Sequence, residues 1–138
     1  MNVSQPNIIV SELDLHRLEH ILDGLTPVEA ERTSYLEAEL DRADIVEPTA
    51  IPPNVVTMNS TVKFSVSSSD QTFCLTLVYP KDMTTDGKTI SILAPAGSAI
   101  LGLVEGDEID WPGRDGQTIR VHVDEILYQP ERAGEYHR

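Results

Sequence analysis

ISILAPAGSAILGLVEGDEI, running from Ile90 to Ile109, carries three glycines within ten residues and so raises the question of a phosphate-binding loop. The features of such a loop are missing. A P-loop needs Lys-Ser/Thr after its second glycine, whereas Leu103 and Val104 follow Gly102. A dinucleotide fingerprint needs Gly-x-Gly-x-x-Gly ahead of a long helix, and Gly97, Gly102 and Gly106 are spaced otherwise. Geometry explains the stretch more simply. Pro95 ends a buried strand at 89–93, Gly97 permits a sharp turn, and Ala96, Ser98 and Ala99 are small enough for a short helix at 98–103 to lie close to a sheet. Gly106-Asp107 then turns the chain into a strand at 108–111.

On either side the apolar period is two. Val62, Phe64 and Val66 alternate with Lys63 and Ser65, and Phe73, Leu75, Leu77 and Tyr79 alternate with Thr72, Cys74, Thr76 and Val78. Ser67-Ser-Ser-Asp70 reads as the turn between them, Pro80–Lys88 as a polar loop and Pro112–Gly116 as a tight turn. Thr118–Leu127 is the last strand, with Ile119, Val121 and Val123 on one face. This half predicts a small, mostly antiparallel sheet with one short helix.

Upstream the period lengthens to that of a helix. Ser11 is a candidate N-cap with Asp14 positioned to close a capping box, and Leu15, Leu18, Leu22 and Leu25 trace one apolar face. Asp23-Gly24 ends that run. Thr26-Pro27-Val28-Glu29 is a second capping box with proline at the first helical position, and Val28, Arg32, Tyr35, Leu36, Glu39, Leu40 and Ala43 trace the second face, mixed at its start and apolar afterwards. The short connection predicts antiparallel packing, with arms only about 17 and 25 Å long. Pro48–Pro53, PTAIPP, is a stiff linker that no helix crosses. The expected fold class is α+β. A helical hairpin spans 1–47, a proline-rich linker 48–53 and a sheet domain 54–138.

Of the 138 residues, 23 are acidic and 10 basic, for a net charge of −13. Such a surface repels phosphate backbones, so direct nucleic-acid binding is not expected, and a basic protein partner, or a site holding metal ions, suits the charge better. The single cysteine, Cys74, excludes an internal disulfide and a cysteine zinc site. In a strand and without an adjacent base it reads as a small apolar filler. No apolar run approaches a membrane span and no signal-peptide pattern opens the chain, which predicts a cytoplasmic protein. His16 and His20 lie four apart on one helix but lack further ligands in any metal motif, so no metal or other cofactor is expected. The acids around the hairpin bend, Glu19, Asp23, Glu29 and Glu31, are the remaining candidates for chemistry. At a projecting tip they could approach a partner's Mg²⁺, or they could simply cap and terminate helices.

The helical hairpin, TSYLEAELDRADIV at 33–46 and ISILAPAGSAILGLVEGDEI resemble the bacterial Gre transcript cleavage factors. IPPNVVTMNSTVKF at 51–64, LVYP at 77–80, the Ala-Pro-x-Gly turn at 94–97, ILGL at 100–103 and YQPERAGEY at 128–136 are more similar to the Rnk family, regulators of nucleoside diphosphate kinase. The resemblance covers nearly the whole chain. It implies a coiled-coil hairpin on an FKBP-like domain, and binding to RNA polymerase at the rim of the secondary channel. It further implies a docking edge at Leu93, Ala94, Pro95, Ala96 and Gly97, where Pro95 matches the Ser-Pro turn of Gre factors, while Leu93 and Ala94 replace polar residues. Cleaving Gre factors carry an Asp-x-x-Glu-Asn motif at the tip, and this chain does not. The expectation is a monomeric, non-catalytic transcription regulator that competes with Gre-type factors and affects the kinase only indirectly. An FKBP-like prolyl isomerase built on Phe64, Phe73, Tyr79 and Trp111 is one alternative. An interaction module for another partner is a second.

Overall fold

The computed structural model describes residues 8–67, 71–112 and 117–135. Most of the turn at 67–70 and of the turn at 112–116 therefore lies outside the described residues. The fold is mixed α+β, and its body is a five-stranded sheet. β3 (Thr61–Val66) sits at the centre, antiparallel to β4 (Gln71–Val78) on one side and to β7 (Thr118–Tyr128) on the other. β6 (Glu108–Pro112) extends the sheet beyond β7, antiparallel, and β5 (Thr89–Ser91) lies parallel to β4 at the opposite edge. Register slips in the β3–β7 ladder next to Val62 and Phe64 bend the sheet.

The alternation read from the sequence places the core correctly. Val62, Phe64, Leu77, Val121 and Val123 are buried, and the Phe64 and Phe73 rings stack at 5.5 Å. Cys74 departs from expectation. It is exposed on the outer face, in register with Lys63, so it fills no cavity.

The short helix α4 (Pro95–Ile100) starts earlier than the expected span. Pro95 does not merely end a strand. It opens the helix at the position where a missing N–H costs nothing. Gly97 lies inside the helix and not in a turn. A Cβ there would sit 2.1 Å from the Ser91 carbonyl oxygen, so glycine is required by close approach of helix to strand.

The N-terminal part contains two strands that sequence reading overlooked. β1 (Ile9–Ser11) pairs in parallel with β2 (Asp44–Val46), and the helical segment runs between them. β1 also touches the body: the Ile9 amide donates to Gly102 O at 3.2 Å, and a Cβ on Gly102 would strike Ile8. α1 (Glu12–Asp23) begins at the Ser11 cap, whose hydroxyl accepts from the Asp14 amide at 3.1 Å. α2 (Pro27–Arg32) begins with the complete Thr26–Glu29 box. The second helix, expected to be continuous, bends at Thr33, and α3 (Ser34–Arg42) follows. The cause is local. The Thr33 hydroxyl donates to the carbonyls of Glu29 and Ala30, both at 3.1 Å, and such back-bonding bends helices.

The helical segment does not stand clear of the body. Leu18 and Leu22 of α1 and Leu36 and Leu40 of α3 belong to the same apolar cluster as the sheet. Farther out, the half-exposed ring of Tyr35 lies 6.2 Å from that of Trp111 on β6. Nor is the proline linker free. Gln129 donates from Nε2 to the carbonyls of Pro52 and Val55 at 2.8 and 2.7 Å, and Arg132 donates to Pro53 O at 3.3 Å.

Candidate functional site

The candidate docking edge is built by backbone hydrogen bonds that leave it little freedom. The Ser91 side chain accepts from the Leu93 amide, and its carbonyl accepts from the Ala94 amide, both at 3.0 Å. The Ser98 hydroxyl donates to Ile92 O, and the Ser98 amide donates to Ala94 O at 2.8 Å. Strand end, turn and first helical turn are thus cross-tied. Leu93, Ala94, Pro95 and Ala96 are half-buried and present a small, rigid apolar edge, whereas Gly97 is buried and offers nothing to a partner.

The four tip acids are all exposed. Asp23 is the last residue of α1, and Glu29 is already engaged, accepting from the Thr26 amide and hydroxyl at 3.0 Å each. That leaves Glu19, Asp23 and Glu31 as solvent-facing acids. Among the described residues no three His, Cys, Asp or Glu side chains are grouped to hold a metal. The aromatics considered for a prolyl pocket are engaged elsewhere: Phe64, Tyr79 and Trp111 are buried and Phe73 stacks on Phe64.

A second polar centre lies beneath α1 and was hidden from sequence reading. Asp14 does not close the capping box with Ser11. Its carboxylate turns inward, where it is 2% exposed, and Oδ2 accepts from the Met58 amide at 3.1 Å. Oδ1 faces the Tyr79 hydroxyl at 3.4 Å. Burial pushes the Asp14 carboxyl up to about 7, and the negative charge of Glu131 adds to this. The Met58 amide, the Tyr79 hydroxyl and the Arg17 guanidinium oppose it. The Tyr79 hydroxyl is likewise raised, first by burial and then by Asp14. Around them Thr57 donates to Glu131 Oε1 at 2.8 Å and shares a 2.8 Å contact with the Ser60 hydroxyl, whose oxygen accepts from the Thr57 amide. Thr57-Met-Asn-Ser60 is thereby the floor on which α1 rests, and Asn59, at φ 69°, makes its sharp bend. The one signal in the sequence was the pairing of an acidic residue with a cap, which has two readings.

Residues 51–128 match the family described as "Transcription elongation factor, GreA/GreB, C-term", more than half of the chain. The class is therefore that of Gre-type transcription factors. Residues 6–46 match the family described as "Rnk N-terminus". The chain is 42% identical over 134 residues to "Regulator of nucleoside diphosphate kinase" of Escherichia coli (strain K12), covering 97% of this chain and 98% of the relative. This chain belongs to the Rnk family. A more distant likeness is to "Transcription elongation factor GreA" of Helicobacter hepaticus, 27% identical over 136 residues, covering 92% of this chain and 82% of that one. Among solved structures, "Prokaryotic transcription elongation factor GreA/GreB from Nitrosomonas europaea" superposes with a TM-score of 0.69 at 56% identity, covering 90% of this chain and all of that one. No helix among the described residues is long and apolar enough to cross a membrane.

Proposed function

We propose that this protein is a non-catalytic regulator that binds RNA polymerase at the rim of the secondary channel. The edge Leu93–Ala96 docks on the rim, and the helical hairpin directs Glu19, Asp23 and Glu31 toward the channel. The protein works in the cytoplasm as a monomer and competes with Gre-type factors for the entrance. It cleaves no transcript, and any effect on nucleoside diphosphate kinase is indirect. The observation that carries this reading is the cross-tied turn at 91–98, held rigid within a stretch that matches the GreA/GreB C-terminal family. Lack of cleavage is supported by the absent Asp-x-x-Glu-Asn motif and by reach. α1 has 12 residues, so it extends only about 18 Å, and Tyr35 is held back against Trp111. Metal-assisted hydrolysis demands ligands placed to within about 0.5 Å, which solvent-facing acids on a short arm do not supply.

Pull-down with core polymerase tests the reading, paired with a transcript-cleavage assay on stalled complexes. The chain is expected to be retained by polymerase, to release no cleaved RNA alone and to slow cleavage by a Gre factor. Ala94→Glu adds a charge to the edge and should weaken retention at least about tenfold, a loss of roughly 1.4 kcal/mol. Robust cleavage by the protein alone, or no retention, refutes the proposal.

A further inference from the structure

Several contacts hold the helical segment to the body. The Ile9 amide bonds Gly102 O at its base, the Tyr35 ring lies near that of Trp111, and Leu18, Leu22, Leu36 and Leu40 bury apolar surface beneath it. Apolar burial is indifferent to angle, so it holds α1 down without aiming it. Asp14 is different. It lies in the first turn of α1, yet it bonds an amide 44 residues away. A short side chain held at both oxygens, by the Met58 amide and the Tyr79 hydroxyl, restricts rotation and tilt of the helix that carries it. Burying a carboxyl is unfavourable even when it is bonded, but an apolar residue here would leave the Met58 amide without its acceptor.

We propose that Asp14 is the positioning residue of the helical segment: seated on the Met58 amide and facing the Tyr79 hydroxyl, it sets the angle at which α1 leaves the sheet. Its place near the base gives it leverage. For a helix about 18 Å long, a tilt of about 10° at the base moves the far end about 3 Å, and that end carries Glu19 and Asp23. The charged and titratable groups facing Asp14 come from each element packed on it. These are Arg17 from α1, Tyr79 from the end of β4 and Glu131 from the C-terminal turn, the last held by Thr57. Glu131 repels the ionised carboxylate and Arg17 attracts it. Ionisation therefore strengthens the bond to the Met58 amide while making burial costly, and burial is the larger effect. The seat loosens as Asp14 ionises.

The positioning is intramolecular, so it is tested on the free, full chain without polymerase. Hydrogen exchange across α1 and at the Met58 amide, together with emission from Trp111, is compared for wild type, Asp14→Ala and Asp14→Asn. Asp14→Ala should exchange α1 amides about tenfold faster and shift Trp111 emission to the red as Tyr35 moves away, while β3 and β7 keep wild-type protection. Asp14→Asn retains an acceptor for the Met58 amide. It should match wild type at about pH 6 and lack the faster exchange that wild type shows above about pH 7, after correction for intrinsic rates. The proposal is overturned if Asp14→Ala leaves α1 exchange within about twofold of wild type, or if Asp14→Asn keeps the wild-type pH profile. If Asp14→Ala does not fold, the pH profile of Asp14→Asn decides alone. Failure of wild type to bind polymerase would sink the polymerase reading and leave the positioning intact.

Discussion

Two demands on one carboxylate meet at Asp14. Three residues after a serine cap, an acid is placed to reach back to the cap backbone, and that is how the sequence reads. The side chain instead satisfies the Met58 amide, because an unpaired buried N–H there would cost about 1–3 kcal/mol. Which of the two wins depends on what lies above the first turn, and that is tertiary information. The choice has a consequence for stability. The folded carboxyl titrates near 7 against an ordinary 3.8, so the folded state holds the extra proton between those values. Stability is therefore expected to fall as pH rises from about 4 to about 7, by as much as roughly 4 kcal/mol. Asp14→Asn should remove that slope, as urea melts across the range will read. Gly97 makes a simpler forecast. Gly97→Ala drives a methyl into a backbone carbonyl that cannot rotate away, and should cost about 3 kcal/mol or more in thermal unfolding.

At the scale of elements, legibility followed length. β3, β4 and β7 have 6, 8 and 11 residues, long enough for a period of two to show, and their buried faces were readable in advance. β1 and β2 have three residues each, too few for any period, and they exist because they pair with each other across 32 intervening positions. The Thr26–Glu29 box was legible because capping is local chemistry, complete within four residues. Thr26→Ala should cost about 1 kcal/mol and fray α2, measured by chemical denaturation and by exchange at Ala30. The bend at Thr33 was not legible. Thr33 is buried, and its hydroxyl turns to the carbonyls of Glu29 and Ala30 in preference to solvent. The candidate site divides in the same way. Pro95 and its small neighbours were visible as a turn, while the role of Gly97 as a point of contact needed the Ser91 carbonyl to be seen.

For the molecule as a whole, charge and connection matter more than any single contact. A net charge of −13 surrounds a small apolar edge at Leu93–Ala96, so long-range attraction to a basic surface is expected to speed encounter, and the edge to decide residence. Raising salt from about 0.05 to about 0.5 M should slow association with polymerase about tenfold while changing dissociation little, which stopped-flow or surface-binding kinetics will resolve. The contact between Tyr35 and Trp111 could not have been foreseen, because nothing local links a residue on α3 to one on β6.

The parallel pair β1–β2 carries one more consequence. Since the chain departs from one strand and comes home along its immediate neighbour, everything between Glu12 and Ala43 is mounted like a cartridge in a socket. Turns could be added between Leu22 and Leu36, with Asp14 and the four core leucines kept in place, giving evolution, or an engineer, a way to change reach while keeping the same handle.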